Sequence, residues 1–434
     1  MHDHTEMPTV VFNRIPPTPP APPVKRRRRR PWLVAALVAV VLFLGVAGYA
    51  VAPLRSALPA ATIDLALPAS MKIPGSAPRL SWPRAGQGMI SVPGIGTLGA
   101  YGGDKPLPIA SVTKVMTAYL ILTEHPLDAG EQGPELTVTA AQAAAYPGER
   151  GRGESVVEVR AGEKITERQA LQAVLLPSAN NMARILAAWD AGSVDAFVDK
   201  MNATADRLGM TNTHYTDPSG LDPDTVSTAH DQVILAGKAM ALPAFAEIVK
   251  QKSATIPVAG KVKNYNELVG HNGVVGIKTG STDEAGGCLV FAAVITVAGR
   301  KVTVVGALLG QPGANTPVQL DRVFAATKTA LRSAAAAVGV HTLVEAGRQV
   351  ATVHGPLGTG TTVHTAGKLD VIGWPGLTVK LDAKLPTPAA SVAGGADFGQ
   401  LTVRLGGGKP VTTALRTSTA MEPPSTWDRI RQHR

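Results

Sequence analysis

The sequence predicts an α+β protein in which an antiparallel sheet, assembled from distant segments, is covered by helices and followed by a small all-β domain. Strand-like apolar runs occur at 89–92 and 95–98, and again at 287–297 and 301–309. A long, mostly helical section is predicted over about 118–250, between these two pairs, with good helix formers at 165–176 and 181–189. Because a short glycine-containing turn joins the runs within each pair, we expect two hairpins that meet in one sheet.

A single N-terminal transmembrane helix is predicted at 31–54. Residues 32–54 carry no charge, and this length is enough to cross a bilayer core of about 30 Å as a helix. The basic run at 25–30 lies on its N-terminal side, which predicts a cytoplasmic N-terminus and an extracytoplasmic main domain at the plasma membrane. Small residues at 48–50 are typical of a cleavage site, but the long apolar run favours an uncleaved anchor.

The remaining segments differ in composition. Residues 1–30 are polar and proline-rich, which predicts a disordered cytoplasmic tail that ends in the basic run. Residues 55–80 are rich in Ala, Pro and Ser and are interpreted as a linker. The main domain is expected at 81–340 and ends in an alanine-rich helix. Short alternating runs between Gly and Pro turns predict a small β domain at 341–416, followed by a C-terminal tail at 417–434.

Charge and cysteine content exclude two classes of function. The formal net charge is +10, but residues 1–30 contain seven basic and two acidic residues and so hold half of it. The rest is spread over about 400 residues, too thinly for a nucleic-acid interface. Cys288 is the only cysteine, so there is no intrachain disulfide and no cysteine-based metal cluster. Its apolar neighbours predict a buried structural thiol.

Ser111 and Lys114 form the motif on which the functional hypothesis depends. If a helix begins here, positions i and i+3 lie on one face, within reach of each other. A serine hydroxyl is a weak nucleophile until a base removes its proton. A lysine can be that base if burial or a nearby cation lowers its pKa. This pattern predicts a serine acyl-transfer enzyme, although the motif alone is common by chance.

Two further motifs follow in the chain. Ser178-x-Asn180 separates two helical stretches, which is typical of a loop that points into a cleft. Lys278-Thr279-Gly280 precedes the apolar run at 287–297, where a glycine lets a ligand approach the backbone closely. Ser-x-x-Lys, Ser-x-Asn and Lys-Thr-Gly in this order are the motif set of penicillin-binding proteins and serine β-lactamases.

On these motifs the chain resembles the serine-type D-alanyl-D-alanine carboxypeptidases, the low-molecular-mass penicillin-binding proteins. Four further segments, at 209–215, 217–221, 227–231 and 264–268, resemble the segments of that family around its second and third motifs. The resemblance covers about 80–340. It implies the penicillin-binding-protein and β-lactamase type of fold, an antiparallel sheet with a helical subdomain.

The resemblance also implies catalytic roles. Ser111 attacks the carbonyl between two D-alanines and forms an acyl-enzyme, Lys114 takes its proton, and Ser178 relays a proton to the leaving D-alanine. The substrate is then a peptidoglycan stem peptide that ends in D-Ala-D-Ala. Penicillin and other β-lactams acylate the same serine and inhibit the enzyme. The resemblance implies no metal and no other cofactor.

Five residues are implied in substrate binding. Asn180 holds the substrate amide, and Lys278 with Thr279 binds the terminal carboxylate, beside Gly280. The backbone N–H groups of Ser111 and Ser281 form the oxyanion hole. In some relatives an arginine after the strand pair assists carboxylate binding, but no Arg or Lys lies between Lys301 and Arg322 here.

Two alternatives remain open at the sequence level. A class A β-lactamase uses a glutamate in a Glu-x-x-Leu-Asn loop to activate the deacylating water, and neither Glu247 nor Glu267 lies in that pattern. An inactive membrane-anchored binding protein on the same fold would not need the intact motifs. A Ser-His-Asp triad is disfavoured because the chain has no Gly-x-Ser-x-Gly elbow. The sequence leaves open whether endopeptidase activity accompanies carboxypeptidase activity.

Overall fold

A computed structural model describes residues 31–431. The described residues form two compact units, Ala60–Pro423 and a smaller unit from residues 31–59 and 424–431. The helices of the described part are α1 (Pro31–Arg55), α2 (Lys114–Glu124), α3 (Ala140–Gly151), α4 (Glu167–Leu175), α5 (Asn180–Ala191), α6 (Val194–Leu208), α7 (Ala229–Ala239), α8 (Pro243–Val249), α9 (Thr316–Ala337) and α10 (Thr426–Arg431), with the 3₁₀ helices η1 (Ala110–Thr113) and η2 (Pro356–Gly358).

The strands of the same part are β1 (Thr62–Leu65), β2 (Ser70–Lys72), β3 (Gln87–Val92), β4 (Gly96–Tyr101), β5 (Leu107–Pro108), β6 (Glu135–Thr137), β7 (Lys164–Thr166), β8 (Val226–Ser227), β9 (Ser253–Ile256), β10 (Gly260–Lys263), β11 (Val274–Thr282), β12 (Gly286–Val297), β13 (Arg300–Gln311), β14 (Gly339–Val344), β15 (Gln349–His354), β16 (Gly360–Thr365), β17 (Leu369–Gly373), β18 (Thr378–Lys384), β19 (Asp397–Arg404) and β20 (Val411–Thr417).

The smaller unit contains the predicted membrane helix. Helix α1 is long and apolar enough over Pro31–Tyr49 to cross a membrane, and its large apolar side chains are exposed in the isolated chain. In the same unit α10 contacts α1, and the Arg429 guanidinium donates a hydrogen bond of 2.8 Å to the Ser56 carbonyl. The predicted disordered tail at 1–30, with its basic run, and the last residues, 432–434, lie outside the described residues.

The main sheet confirms the predicted α+β class. Its five antiparallel strands have the order β11-β12-β13-β3-β4, so the early hairpin and the late one meet in one sheet as expected. Alternate residues of β12 point to opposite faces. Cys288 and Val290 pack with the helices α2 to α8, whereas Leu289 and Phe291 pack against α9. A sheet covered on both faces explains the near-continuous apolar run.

The thiol of Cys288 is fully buried, as its neighbours predicted. It donates a weak hydrogen bond of 3.6 Å to the Ala285 carbonyl. Burial raises the pKa of the thiol to about 12, which keeps it protonated and unreactive. Cys288 is therefore a packing residue of the sheet.

The small β domain is built from both ends of the larger unit. Its seven-stranded antiparallel sheet has the order β1-β15-β16-β20-β19-β18-β2. The prediction of a linker at 55–80 is wrong for β1 and β2, which form the two edges of this sheet. Their partners lie about 290 and 310 residues later, so no local pattern could predict the pairing. Ile73, just after β2, is buried in the core of this domain.

The predicted C-terminal tail at 417–434 is also wrong in its first residues. Met421 pairs with Val392 across a β-bridge, and its side chain is buried in the β-domain core. Strands β14 and β20 have little local sequence signal of their own. Their alternation is weak because threonine, histidine and glycine occupy many of their positions.

Candidate active site

Ser111 lies in η1, a single turn that leads directly into α2. The Thr113 hydroxyl donates a hydrogen bond of 2.8 Å to the Ala110 carbonyl, which ties this turn together. Ala110 has a φ of 47°, a left-handed value that non-glycine residues rarely adopt. Ser111 is partly exposed, whereas Lys114, three residues on, is fully buried. The predicted i, i+3 arrangement is therefore present.

The Lys114 amine has three hydrogen-bond partners, and all three are oxygen atoms. Its Nζ lies 2.9 Å from Ser111 Oγ, 2.7 Å from Asn180 Oδ1 and 2.6 Å from the carbonyl oxygen of Ser219. Burial, and then the positive charge of Lys278, lowers the pKa of Lys114 well below its ordinary value, although the carboxylate of Asp217 acts in the opposite direction. The structure thus brings the first two motifs together around one amine.

The segment 217–221 holds the Ser219 carbonyl in place. The Asp217 carboxylate accepts hydrogen bonds from the backbone N–H groups of Ser219, Gly220 and Leu221, at 3.1, 2.9 and 3.1 Å. Gly220 has a φ of +73°, and a Cβ there would lie 1.8 Å from the Ala110 carbonyl oxygen. Only glycine allows this close contact between the segment and the Ser111 turn.

Ser178 and Asn180 lie at the start of α5. The Asn180 backbone N–H donates a hydrogen bond of 2.7 Å to the Ser155 carbonyl, which fixes the first residue of the helix. Ser178 has a φ of +67°, and its buried hydroxyl has no hydrogen-bond partner among the residues that the structure describes. A strained residue with an unsatisfied buried hydroxyl is typical of a functional site.

The third motif lies on β11, an edge strand of the main sheet. Lys278 is 1% exposed, and within the described part of the chain its amine donates one hydrogen bond, of 3.0 Å, to the Thr279 carbonyl. Burial lowers the pKa of Lys278 to about 7. A Cβ at Gly280 would lie 3.1 Å from the Ser111 backbone nitrogen, so this strand passes directly beside the Ser111 turn.

The other two predicted residues of this strand lie on either side of Gly280. Thr279 is 4% exposed, and Ser281 is partly exposed. The Ser281 hydroxyl is hydrogen-bonded to Gln319 and lies 3.3 Å from the Thr316 hydroxyl, both at the start of α9. Helix α9 therefore fixes the end of the strand that faces Ser111.

Sequence reasoning missed two charged residues beside this centre. The Glu154 carboxylate accepts a hydrogen bond of 3.3 Å from the Asn180 side-chain nitrogen and one of 2.7 Å from Arg184. Neither residue belongs to a recognised motif, and they are 30 positions apart, so only the pattern of acidic and basic residues around Asn180 could have suggested them.

Two further polar side chains have their partners outside the three motifs. The Arg322 guanidinium is exposed and donates to the Pro312 carbonyl at 2.7 Å. The His230 ring is half-exposed and lies 3.1 Å from Asp231. Within residues 31–431, no three His, Cys, Asp or Glu side chains are arranged to hold a metal ion.

Comparison with known proteins identifies the family of this fold and site. A model of the D-alanyl-D-alanine carboxypeptidase family matches residues 98–308. A D-alanyl-D-alanine carboxypeptidase of a Streptomyces species is 33% identical over 230 residues, which cover 49% of this chain and 76% of that protein. The class is that of the D-alanyl-D-alanine peptidases. The chain belongs to the D-alanyl-D-alanine carboxypeptidase family.

Other relatives match a smaller part of their length. A D-alanyl-D-alanine carboxypeptidase of Mycobacterium tuberculosis is 38% identical over 193 residues, 43% of this chain and 62% of that protein. A D-alanyl-D-alanine endopeptidase of Pseudomonas aeruginosa is 34% identical over 196 residues, 43% of this chain and 60% of that protein. The chain thus spans less than two thirds of these two relatives.

Two solved structures share the fold. A Streptomyces DD-transpeptidase is 29% identical with a TM-score of 0.50, and the match covers 58% of this chain and 100% of that one. Penicillin-binding protein 5 of Haemophilus influenzae is 22% identical with a TM-score of 0.55, and the match covers 80% of this chain and 100% of that one.

Proposed function

We propose that this protein is a membrane-anchored serine D-Ala-D-Ala carboxypeptidase that removes the terminal D-alanine from peptidoglycan stem pentapeptides. The observation that carries the proposal is the hydrogen bond of 2.9 Å between Lys114 Nζ and Ser111 Oγ. Nucleophile and base within hydrogen-bond reach, with the base held by further groups, are the signature of covalent catalysis. Family membership supports the same reaction class.

The partners of Lys114 favour its role as the general base. A neutral amine has two hydrogens and one lone pair, and Asn180 Oδ1 and the Ser219 carbonyl are acceptors only. When the two hydrogens go to these acceptors, the lone pair points at the Ser111 hydroxyl. Burial, and then the charge of Lys278, lowers the pKa of Lys114, so its neutral amine is accessible at a lower pH than that of an ordinary lysine.

The acylation step then balances as follows. Ser111 Oγ attacks the carbonyl carbon between the two D-alanines, and its proton moves to Lys114 Nζ. The carbonyl oxygen takes up negative charge, which the backbone N–H groups of Ser111 and Ser281 stabilise. The C–N bond breaks as Lys114 gives up this proton, which passes through Ser178 to the leaving nitrogen. Free D-alanine leaves, and an ester remains on Ser111.

The carboxylate of the departing D-alanine is bound by the third motif. Lys278 is a buried amine with a single hydrogen bond, to Thr279, among the described residues. A bound carboxylate would favour its ammonium form and accept hydrogen bonds from its other hydrogens. Thr279 and Gly280 lie on the same edge strand, where the absence of a side chain at Gly280 leaves room beside Ser111. Asn180 then holds the substrate amide on the opposite side.

Hydrolysis of the ester by water releases the shortened stem peptide and restores the Ser111 hydroxyl. Penicillin forms the corresponding ester on Ser111, and this ester is hydrolysed only slowly. Penicillin therefore inhibits the enzyme. Neither glutamate of the segment between Asn180 and Lys278 supports a β-lactamase mechanism. Glu247 is engaged by Arg168 at 2.6 Å, and Glu267 is exposed.

The site works at the outer face of the bacterial plasma membrane in this proposal. Helix α1 is the anchor, and the basic run at 25–30 keeps the N-terminus in the cytoplasm. The main domain is then extracytoplasmic, where peptidoglycan is found.

The test is the intact mass of the full chain, solubilised in detergent and incubated with penicillin. We expect an added mass of one penicillin, absent in Ser111→Ala and present in Ser253→Ala, a control serine on β9. Release of D-alanine from a peptide ending in D-Ala-D-Ala should show the same dependence. No adduct with penicillin intact would indicate an inactive binding protein, and no adduct with penicillin destroyed would indicate a β-lactamase.

A further inference from the structure

A chain of hydrogen bonds leads away from Lys114 to charged residues outside the three motifs. Asn180 Oδ1 accepts from Lys114 at 2.7 Å, and Asn180 Nδ2 donates to Glu154 Oε2 at 3.3 Å. The same carboxylate oxygen accepts from Arg184 Nη2 at 2.7 Å, and Arg152 donates to the other oxygen at 2.7 Å. The Glu154 side chain is only 4% exposed. Glu154 is therefore a buried carboxylate with both oxygens hydrogen-bonded, and Asn180 connects it to Lys114.

The partners of Asn180 define the orientation of its amide. An amide has an acceptor on one side and a donor on the other, and it can be flipped with little change in shape. Glu154 accepts hydrogen bonds only, so it attracts the NH₂ side of Asn180. The oxygen side then faces Lys114. Without the carboxylate, no described acceptor holds the NH₂ group on the side away from Lys114.

Arg184 in turn holds Glu154. It lies one helical turn after Asn180 on α5, and its guanidinium bridges Glu154 and Glu149 at 2.7 and 2.8 Å. Burial raises the pKa of Glu154, but hydrogen bonds from Arg184, Arg152 and Asn180 outweigh burial and leave it below the ordinary value. The carboxylate is therefore ionised near neutral pH, where it can only accept hydrogen bonds.

We propose that Glu154 and Arg184 are positioning residues for acyl transfer: the Glu154 carboxylate, held by Arg184, keeps the Asn180 oxygen toward Lys114 and so directs the Lys114 lone pair at Ser111. This role rests on the proposed function of Lys114 as the base. A flipped Asn180 would present N–H to the amine, where it competes with Ser111 for the lone pair. Loss of Glu154 should therefore lower the rate of acylation and leave binding of the substrate carboxylate largely unchanged. Among the described residues, Glu154 has no contact with the carboxylate-binding strand β11.

The experiment measures the acylation rate of the full chain by a fluorescent penicillin in Glu154→Ala, Glu154→Gln and Glu154→Asp. We expect Glu154→Ala to lower the limiting acylation rate by roughly 100-fold, as expected for a misplaced base, with a much smaller change in the concentration for half-maximal rate. Glu154→Asp should recover part of this loss because it keeps the acceptor. Glu158→Gln, an exposed glutamate on the same segment, is the matched control and should retain the wild-type rate.

The pH profile separates positioning from a merely structural role. Removal of the negative charge in Glu154→Gln should move the acid limb of the acylation profile to lower pH, because the protonated Lys114 loses a stabilising anion. A variant that is only less stable would keep the position of this limb. Thermal unfolding of each variant is measured in parallel.

Arg184 provides an independent arm. If Arg184 acts through Glu154, Arg184→Met should slow acylation, and the double variant Arg184→Met with Glu154→Ala should be no slower than Glu154→Ala alone. Additive losses would overturn the proposal.

Three other outcomes are distinguishable. Wild-type acylation rate and pH profile in Glu154→Ala would refute the positioning role while leaving the proposed function intact. Normal acylation followed by a trapped ester in Glu154→Gln would make Glu154 a deacylation base and would also refute it. Absence of any acylation in the wild-type protein would refute the proposed function itself.

Discussion

Two buried lysines flank Ser111, and they differ in how their charge is compensated. Lys114 has three oxygen partners, whereas Lys278 donates one hydrogen bond, to a carbonyl, among the described residues. Burying a charged amine with few partners is costly, so the folded protein favours the neutral form of Lys278 until an anion arrives. Buried Lys278 thus lowers the stability of the folded protein but provides a binding group for a carboxylate.

This cost predicts a pH-dependent stability. The pKa of Lys278 is about 7 in the folded protein and lies near 10.5 in the unfolded chain, so between these values the unfolded chain binds one more proton. Its contribution to the free energy of unfolding therefore rises with pH, by up to about 1.4 kcal/mol per pH unit, and stays at its minimum below about pH 7. We expect Lys278→Met to stabilise the protein most near pH 6 and least near pH 10, as measured by urea unfolding.

The control for this prediction is Lys261→Met, at an exposed position on β10. It should change the free energy of unfolding by less than about 0.5 kcal/mol. A gain in Lys278→Met that is the same at low and high pH would contradict the assignment of the cost to the buried charge.

The residues of the three motifs could be identified from sequence because their types and spacing are fixed by the chemistry. Spacing alone placed Ser111 and Lys114 on one face of a turn. It could not place the Ser219 carbonyl, since a backbone acceptor has no residue type to recognise. Glu154 and Arg184 were missed for another reason. In a sequence, a glutamate and an arginine beside an active site look the same as a glutamate and an arginine in an exposed ion pair.

At the scale of elements, the site is assembled where three backbone segments touch. The Ser111 turn is contacted by the segment 217–221 at Gly220 and by β11 at Gly280. Both contacts are backbone to backbone, and a side chain at either glycine would collide with main-chain atoms. The relative position of the nucleophile, the base and the carboxylate site therefore depends on glycine at positions 220 and 280.

Gly220→Ala should damage both stability and activity. Its Cβ would lie 1.8 Å from the Ala110 carbonyl oxygen, and its φ of +73° is strained for alanine. We expect the free energy of unfolding to fall by roughly 3 kcal/mol, with loss of penicillin acylation, as measured by thermal unfolding and adduct formation.

The matched change is Gly237→Ala in α7. This glycine has open space around its Cβ position and lies inside a helix, so alanine should stabilise the protein by up to about 1 kcal/mol. Equal stability of the two variants would show that the contact between Gly220 and Ala110 is not as close as described.

Elements with a local signal were predictable, and elements without one were not. The hairpins β3–β4 and β12–β13 have apolar runs joined by glycine turns, so the sequence was sufficient for both. Strands β1 and β2 have three or four residues each and no turn that points to a partner. Their existence depends on strands that the chain reaches some 300 residues later.

At the scale of the whole molecule, the larger unit is continuous in space but interleaved in sequence. The segment 60–80 contributes to the core of the β domain and to the core of the main sheet. Ile73 is buried in the former, and Leu80 packs in the latter. A boundary drawn at residue 81 would therefore cut through packed structure.

We expect a chain that starts at residue 60 to fold stably. A chain that starts at residue 81 should have a lower free energy of unfolding. The shorter chain loses β1, β2 and the buried Ile73 and Leu80, and each such apolar side chain contributes on the order of 2 kcal/mol or more. Thermal unfolding of the two purified chains compares them directly. Indistinguishable unfolding temperatures would mean that residues 60–80 act as a linker after all.

The strand order of the β domain also constrains the life of the nascent chain. Strand β20 is the last of the strands within residues 31–431 but the central strand of its sheet, between β16 and β19. A ribosome that stops before residue 411 leaves two separate three-stranded fragments with open edges, which are prone to aggregation and proteolysis. The main domain, complete by the end of α9, has by then been synthesised in full. We therefore expect chains that end before β20 to be degraded faster than chains that include it.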